Sequence, residues 1–118
     1  MFDFFKPLPV YVKVYPDKIE IINLKTGAAV ARSPLQPFSS SRMVVADFGR
    51  AEILSRQLTK ELGLANKSLN VLIQQMQVWE GGLSEVEKRV LRDLAEQIGA
   101  RSVYLVTDDR RLSSDEAR

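Results

Sequence analysis

Apolar and polar residues alternate along the first third of the chain. In VYVKVYP (residues 10–16) the three valines fall on one side of an extended backbone, and the tyrosines and the lysine fall on the other. This period of two, in β-branched and aromatic residues, predicts a strand. The turn residues Pro16-Asp17 separate it from a second strand in KIEIINL (18–24). After Gly27 a short third strand is predicted over Ala28 to Ala31, so the three strands form an antiparallel meander.

Further along the chain, apolar residues recur with a helical period. After SPLQPFSSSR (33–42), which is loop by composition, leucines recur every four residues towards Gly63, and Asp47 or Gly49 can cap the start of this first helix. Ser84 and Glu87 have the spacing of a capping box and begin a second helix, which Gly99 ends. The buried stripe of this second helix is predicted to comprise Val86, Val90, Leu91, Leu94, Ala95 and Ile98.

Two short apolar runs predict the remaining strands. One lies in SLNVLIQQM (68–76) and the other is SVYLV (102–106). Because strand–helix–strand connections are right-handed crossovers into parallel neighbours, the fourth and fifth strands should extend the sheet beyond the first. The predicted fold class is α/β (α+β), with two main helices and a five-stranded mixed sheet of order 3-2-1-4-5. This is the arrangement of a ribonuclease H-like or actin-like subdomain.

Composition narrows the chemistry. The 118 residues predict a single domain over 1–106, with an apolar N-terminal segment (1–9) and a polar, flexible tail (107–118). There is no cysteine and no histidine, which removes thiolate chemistry, the commonest general base and the commonest metal ligand. The net charge of +2 is scattered, so we expect no nucleic-acid binding. No membrane span or signal peptide is predicted, and we expect a cytoplasmic protein.

Two segments resemble a known family. MVVADFGRAEIL (43–54) is similar to the MreB segment in which Ala-Asp-Phe leads into a helix. In EVEKRVLRDLAEQIGARSVYLV (85–106), Val86 to Arg89 resemble the Val-Glu-Arg-Arg helix of MreB, and Gly99 to Arg101 resemble its Gly-Ala-Arg turn. MreB proteins are actin-like ATPases that polymerise beneath the inner membrane and govern rod shape. The resemblance covers one subdomain of four, mainly over the second half of this chain.

The departures from that family predict a protein without ATPase activity. MreB proteins carry an Asp-x-Gly-Thr phosphate loop in the first hairpin, where glycine lets backbone N–H groups reach phosphate. Here no glycine occurs between Met1 and Leu24, and Asp17 stands beside a proline. Thr107-Asp108-Asp109 replaces the family's Glu-Pro. We therefore expect no cofactor, no metal, no catalytic residue and no enzyme activity. The expected function is protein–protein interaction. The expected partner is an actin-like filament protein, or further copies of this chain in a homo-oligomer.

A few residues remain as candidates for contact with a partner. By resemblance Glu87 occupies the position of the family's water-orienting carboxylate, whereas by local physics it belongs to a capping box. Trp79 in the VWEGG loop is either a lid on the core or a binding anchor. The full candidate interaction set is Trp79, Glu80, Gly81, Gly82, Glu87, Asp108 and Asp109.

Two rival functions and one membrane contact stay open. A small nucleotide-binding protein or carboxylate enzyme would need the acidic candidates to converge on one pocket, and a nucleic-acid binder would need a continuous basic face. The N-terminal rings Phe2, Phe4 and Phe5 resemble the amphipathic start of some MreB proteins, which would place the chain peripheral to the inner membrane.

Overall fold

The computed structural model describes residues 6–79 and 81–107 of the chain. In chain order its elements are β1 Leu8–Tyr15, β2 Lys18–Asn23, β3 Ala29–Arg32, α1 Phe48–Glu61, β4 Leu69–Gln75, α2 Glu85–Gln97 and β5 Ala100–Val106. The element order matches the prediction, and the differences are at the boundaries. β3 begins one residue later than predicted, and β5 begins at Ala100 because extended backbone follows directly on the turn at Gly99.

The strands form one open mixed sheet of order β3-β2-β1-β4-β5, as predicted. β1 pairs antiparallel with β2 and parallel with β4. β3 extends the antiparallel half, and β5 extends the parallel half. β1 is therefore the strand at which the sheet changes from antiparallel to parallel pairing.

The core lies between one face of this sheet and both helices. The three valines of β1 and the isoleucines Ile19 and Ile21 of β2 point into it and are at most 1% exposed. Leu58 of α1 and Leu91 of α2 belong to the same cluster of buried side chains, so both helices cover the same face. Burial of this apolar surface, which stabilises the fold by about 25 cal/mol per Å², is the main force that holds the sheet and helices together.

Both helices begin at the predicted caps. The Asp47 side chain accepts a hydrogen bond from the backbone N–H of Arg50, and this satisfies one of the free donors at the start of α1. Ser84 and Glu87 form the complete capping box at the start of α2. After α1, Gly63 adopts a left-handed conformation with φ +73°.

The prediction that Val86 of α2 is buried is wrong. Val86 is 63% exposed, whereas Leu91, Leu94 and Ala95 are buried. Steps of four residues advance about 400° around a helix of 3.6 residues per turn, so an every-fourth stripe drifts by about 40° per step. Val86 is three such steps before Ile98, so it lies about 120° around the helix from Ile98 and faces away from the sheet.

Gly99 is required by both conformation and space. Its φ is +108°, and a Cβ at this position would lie 2.9 Å from the carbonyl oxygen of Lys67. That close approach lets Gly99 pass beside the segment before β4, where its own carbonyl accepts a hydrogen bond from the N–H of Leu69.

Several predictions fall on residues outside the described ranges. These are the candidate membrane contacts Phe2, Phe4 and Phe5, the acidic candidates Glu80, Asp108 and Asp109, and the tail beyond Thr107. Within residues 6–79 and 81–107, neither helix has the length and apolar character needed to cross a bilayer.

Candidate functional site

The turn between β1 and β2 is tied to a distant loop through one carboxylate. Asp17 adopts the left-handed region with φ 51°, which an aspartate tolerates better than most residues. Its Oδ1 accepts hydrogen bonds from the backbone N–H groups of Phe38, at 2.9 Å, and Ser39, at 2.8 Å. The backbone N–H of Asp17 in turn donates to Ser39 Oγ at 2.9 Å. We call this arrangement the Asp17 turn.

The loop that meets the Asp17 turn is ordered by further contacts. Ser39 Oγ donates to the carbonyl of Val44, and the Phe38 carbonyl accepts from the N–H groups of Ala46 and Asp47. The Phe38 side chain is fully buried in the core. Sequence reasoning treated residues 33–42 as loop and missed this anchor.

The Asp17 turn lies in the hairpin where the MreB resemblance would place a phosphate loop. A phosphate loop presents free backbone N–H groups to a ligand and uses its aspartate near the metal. Here the carboxylate instead accepts from two N–H groups of the chain's own loop. The backbone N–H and Oδ1 of Asp17 are therefore both engaged with the loop at residues 38–39.

Glu87 links the start of α2 to the end of β4. Its Oε1 accepts from the backbone N–H of Ser84 and its Oε2 from Nε2 of Gln75, each at 2.9 Å. Burial raises the pKa of the Glu87 carboxyl, but the hydrogen bonds from Ser84 and Gln75 outweigh it, and the pKa lies below its ordinary value of 4.5. Both oxygens of this carboxylate thus have structural partners.

The neighbouring loop holds the other described candidates. Trp79 is 38% exposed, so part of the indole packs on the protein and part faces solvent. Its carbonyl accepts a hydrogen bond from the N–H of Gly82 at 3.0 Å. Gly81 and Gly82 have φ of +96° and +79°, and a Cβ at either position would meet no atom within 4 Å. The two glycines therefore serve backbone conformation rather than close packing.

The structure does not test convergence of the acidic candidates. Glu87 is the one acidic candidate within the described ranges, and Glu80, Asp108 and Asp109 lie outside them. Among residues 6–79 and 81–107, no group of three or more carboxylates is placed to hold a metal ion.

Some basic side chains in the described part of the chain are paired with acids. Five ion pairs occur there: Lys13–Glu20, Arg32–Glu61, Arg50–Asp47, Arg56–Glu52 and Lys88–Glu85. The Arg32–Glu61 pair is bidentate and joins β3 to the end of α1.

Sequence reasoning also missed two exposed apolar surfaces. Leu35 is fully exposed and Ile53 is 69% exposed beside a shallow groove of about 270 Å³ between α1 and the loop before it. Tyr104 of β5 is 68% exposed and borders a groove of about 400 Å³. The sheet register puts Tyr104 in line with Leu72 and Tyr11, on the face opposite the described helices. We call this face the second face.

The second face also carries a buried polar contact. The hydroxyl of Tyr11 donates a hydrogen bond to Oε1 of Gln74, and both side chains are buried. Lys13 on the same face lies with Nζ 5.1 Å from the centre of the Tyr11 ring and 3.6 Å from the Glu20 carboxylate. Towards the other end of the strands, Ser102 donates to the side-chain oxygen of Asn70 at 2.6 Å.

Comparison with models of known protein families finds no match. The chain is similar to the uncharacterized protein YjaA of Escherichia coli strain K12, with 26% identity over 93 residues. The aligned region covers 72% of each of the two chains. Because that relative is itself uncharacterized, the similarity supplies no function.

Proposed function

We propose that this chain is a non-catalytic domain with a ribonuclease H-like, MreB-like fold that acts by binding other proteins. The proposed first partner is a filament-forming protein of the bacterial actin-like class, and the proposed process is organisation of the cytoskeleton or of cell shape. The expected location is the cytoplasm or the periphery of the inner membrane.

The observation that carries this proposal is the Asp17 turn. Nucleotide hydrolysis in an actin-like scaffold depends on a hairpin whose backbone is open to phosphate. In this chain the turn of the same hairpin contains Pro16, which has no backbone N–H, and Asp17, whose carboxylate accepts hydrogen bonds from Phe38 and Ser39. A scaffold that keeps the sheet order but gives its phosphate-binding turn a structural role is better suited to binding than to catalysis.

The contacts of Glu87 support the same proposal. A water-orienting carboxylate is aimed at the attacking water, whereas a capping carboxylate is held by the start of its own helix. Both oxygens of Glu87 already accept, one from the Ser84 amide and one from the Gln75 side chain. Its role as a cap also explains its position, because the first turn of a helix favours an acidic residue.

Trp79 is the contact that we propose for the partner. Aromatic side chains that are partly exposed on loops supply much of the binding energy at protein interfaces. The Trp79 loop lies at the carboxyl end of β4, and Trp79 keeps 38% of its surface in solvent. It can therefore be truncated without opening the core.

Two measurements test the proposal separately. Isothermal titration calorimetry of the full chain with Mg-ATP should show no binding, and a micromolar dissociation constant would refute the non-catalytic assignment. Co-sedimentation with purified MreB filaments should carry the chain into the pellet. Trp79→Ala should weaken this binding about 10-fold or more, as expected for an aromatic anchor.

The control for co-sedimentation is Lys25→Ala, a change at an exposed position in the turn after β2. This variant should pellet like the wild type. If the wild type stays in the supernatant at saturating filament concentration, the actin-like partner is wrong, whatever calorimetry shows.

A further inference from the structure

The two edges of the sheet differ in how well they are protected. Within residues 6–79 and 81–107, β3 forms one edge and β5 forms the other. An edge strand presents unpaired N–H and C=O groups, and proteins usually blunt such edges with short strands, prolines or charges. β3 has four residues, Pro34 follows it closely, and its Arg32 is paired with Glu61.

β5 has few of these protective features. It runs for seven residues, and its segment SVYLV (102–106) contains no charge, proline or glycine. One irregularity lies at its start, where Leu69 pairs with Ala100 and Asn70 pairs with Ser102, so that Arg101 is skipped. From Ser102 to Val106 the pairing with β4 is regular. A regular, uncharged edge of this length is a template for another strand.

We propose that β5 pairs antiparallel with β5 of a second copy of this chain, joining two sheets into one continuous sheet. A two-fold axis perpendicular to the sheet reverses the strand direction and keeps both helix layers on the same face. The contact is isologous, so one strand must complement itself. This inference concerns self-association and does not depend on the function proposed above.

The sequence of β5 is self-complementary when the axis passes through Tyr104. Tyr104 then faces Tyr104 of the second copy on the second face, and Val103 faces Leu105 of the second copy on the helix side. Aromatic and branched pairs directly across antiparallel strands are the favourable ones. Tyr104, which is 68% exposed in the single chain, becomes a central contact.

Charge also favours a second copy over an unrelated strand. Arg101 is the charged residue of β5, and antiparallel pairing about Tyr104 puts the two copies of Arg101 at opposite ends of the contact. Two like charges are thus kept about 20 Å apart, given a rise of ~3.3 Å per residue. A parallel self-pairing would instead bring them side by side.

The helix layer permits the same approach. Arg56 of α1 donates to Gln97 of α2, which identifies the side of α2 that faces α1. With 3.6 residues per turn, the opposite side of α2 carries both acidic and basic residues. They are Glu85, Lys88 and Arg92. Since α2 would lie antiparallel to its copy, the mixed signs on this side do not impose like-charge repulsion.

Sedimentation equilibrium of the full chain tests the proposal directly. The wild type should show a monomer–dimer equilibrium, and Tyr104→Lys should weaken the association constant about 10-fold or more, or by about 1.4 kcal/mol, because two ammonium groups would meet at the axis. The matched control is Ile53→Lys, the same type of change at an apolar residue of α1 that is 69% exposed. This control should dimerise like the wild type, and far-UV circular dichroism checks the fold of both variants.

A cross-link identifies the edge that is used. The chain contains no cysteine, so Tyr104→Cys introduces a single thiol. Directly opposed residues of antiparallel strands have Cα atoms about 4.5–5.5 Å apart, which permits a disulfide. Tyr104→Cys should therefore form a cross-linked dimer on mild oxidation, whereas Ala31→Cys on β3 should stay monomeric in denaturing gels. A wild type that is monomeric at its highest soluble concentration would overturn the proposal. So would a dimer that cross-links through Ala31→Cys and not through Tyr104→Cys.

Discussion

The Asp17 turn allows the most detailed prediction. The perturbation is a series of three substitutions at Asp17, whose Oδ1 accepts from the N–H groups of Phe38 and Ser39. Asp17→Gly removes the acceptor but tolerates the positive φ of 51°. Asp17→Ala removes the acceptor and adds a Cβ that disfavours this conformation. Asp17→Asn keeps an oxygen that can accept the same hydrogen bonds.

The expected losses follow from the number of contacts. A hydrogen bond contributes about 1 kcal/mol net, so losing two should cost about 2 kcal/mol in Asp17→Gly. The left-handed backbone adds about 1 kcal/mol in Asp17→Ala, for a total of about 3 kcal/mol. Asp17→Asn should lose less than about 1 kcal/mol, because both acceptor and backbone preference are kept.

Urea unfolding followed by circular dichroism and by the fluorescence of Trp79 measures these differences. The order of stability should be wild type, Asn, Gly, Ala. If Asp17→Gly unfolds at the same urea concentration as the wild type, the carboxylate does not hold the loop. The turn would then lack the structural role proposed for it above.

Two further predictions concern Glu87 and Gly99. The pKa of Glu87 is lowered in the folded chain, so its stabilisation is complete above the unfolded value near 4.5 and is lost as pH falls through the folded pKa. The difference in unfolding free energy between wild type and Glu87→Gln should therefore shrink on acidification below pH 4.5 in urea titrations; a constant difference from neutral pH to well below that value would contradict this. Gly99→Ala should cost more than about 2 kcal/mol, because its Cβ would lie 2.9 Å from the Lys67 carbonyl, whereas Gly27→Ala, with φ +82° and nothing within 4 Å, should cost only about 1 kcal/mol. Equal losses in thermal unfolding would show that space is not limiting at Gly99.

Local patterns were sufficient to predict the sheet and the helix ends. The alternation in residues 10–16 put the three valines of β1 on one side, and this side faces the core, whereas Tyr11 and Lys13 are buried on the second face. The Ser84–Glu87 spacing predicted a capping box because the motif spans only four residues of chain. The parallel connections then followed from handedness, which restricts how β4 and β5 can join β1.

The features that were missed depend on contacts between distant segments. Phe38 lies in a stretch rich in serine and proline, and its backbone N–H donates a hydrogen bond to Asp17, 21 residues earlier. Val86 fits a four-residue repeat, but the direction of the helix relative to the sheet decides which side is buried. The protection of β3 by Pro34 and by the Arg32–Glu61 pair became apparent only with the sheet order and the position of α1.

The central position of β1 has a consequence for how the chain folds. Its antiparallel partner follows after a two-residue turn, but its parallel partner begins only at Leu69, which pairs with Leu8. The first hairpin can therefore form early during synthesis. The other edge of β1 cannot pair until β4 has been synthesised. Pairing over such a separation slows folding, because loop-closure entropy is lost before the contacts form. During this interval the unpaired side of β1 is the segment most exposed to chaperones or to misassociation.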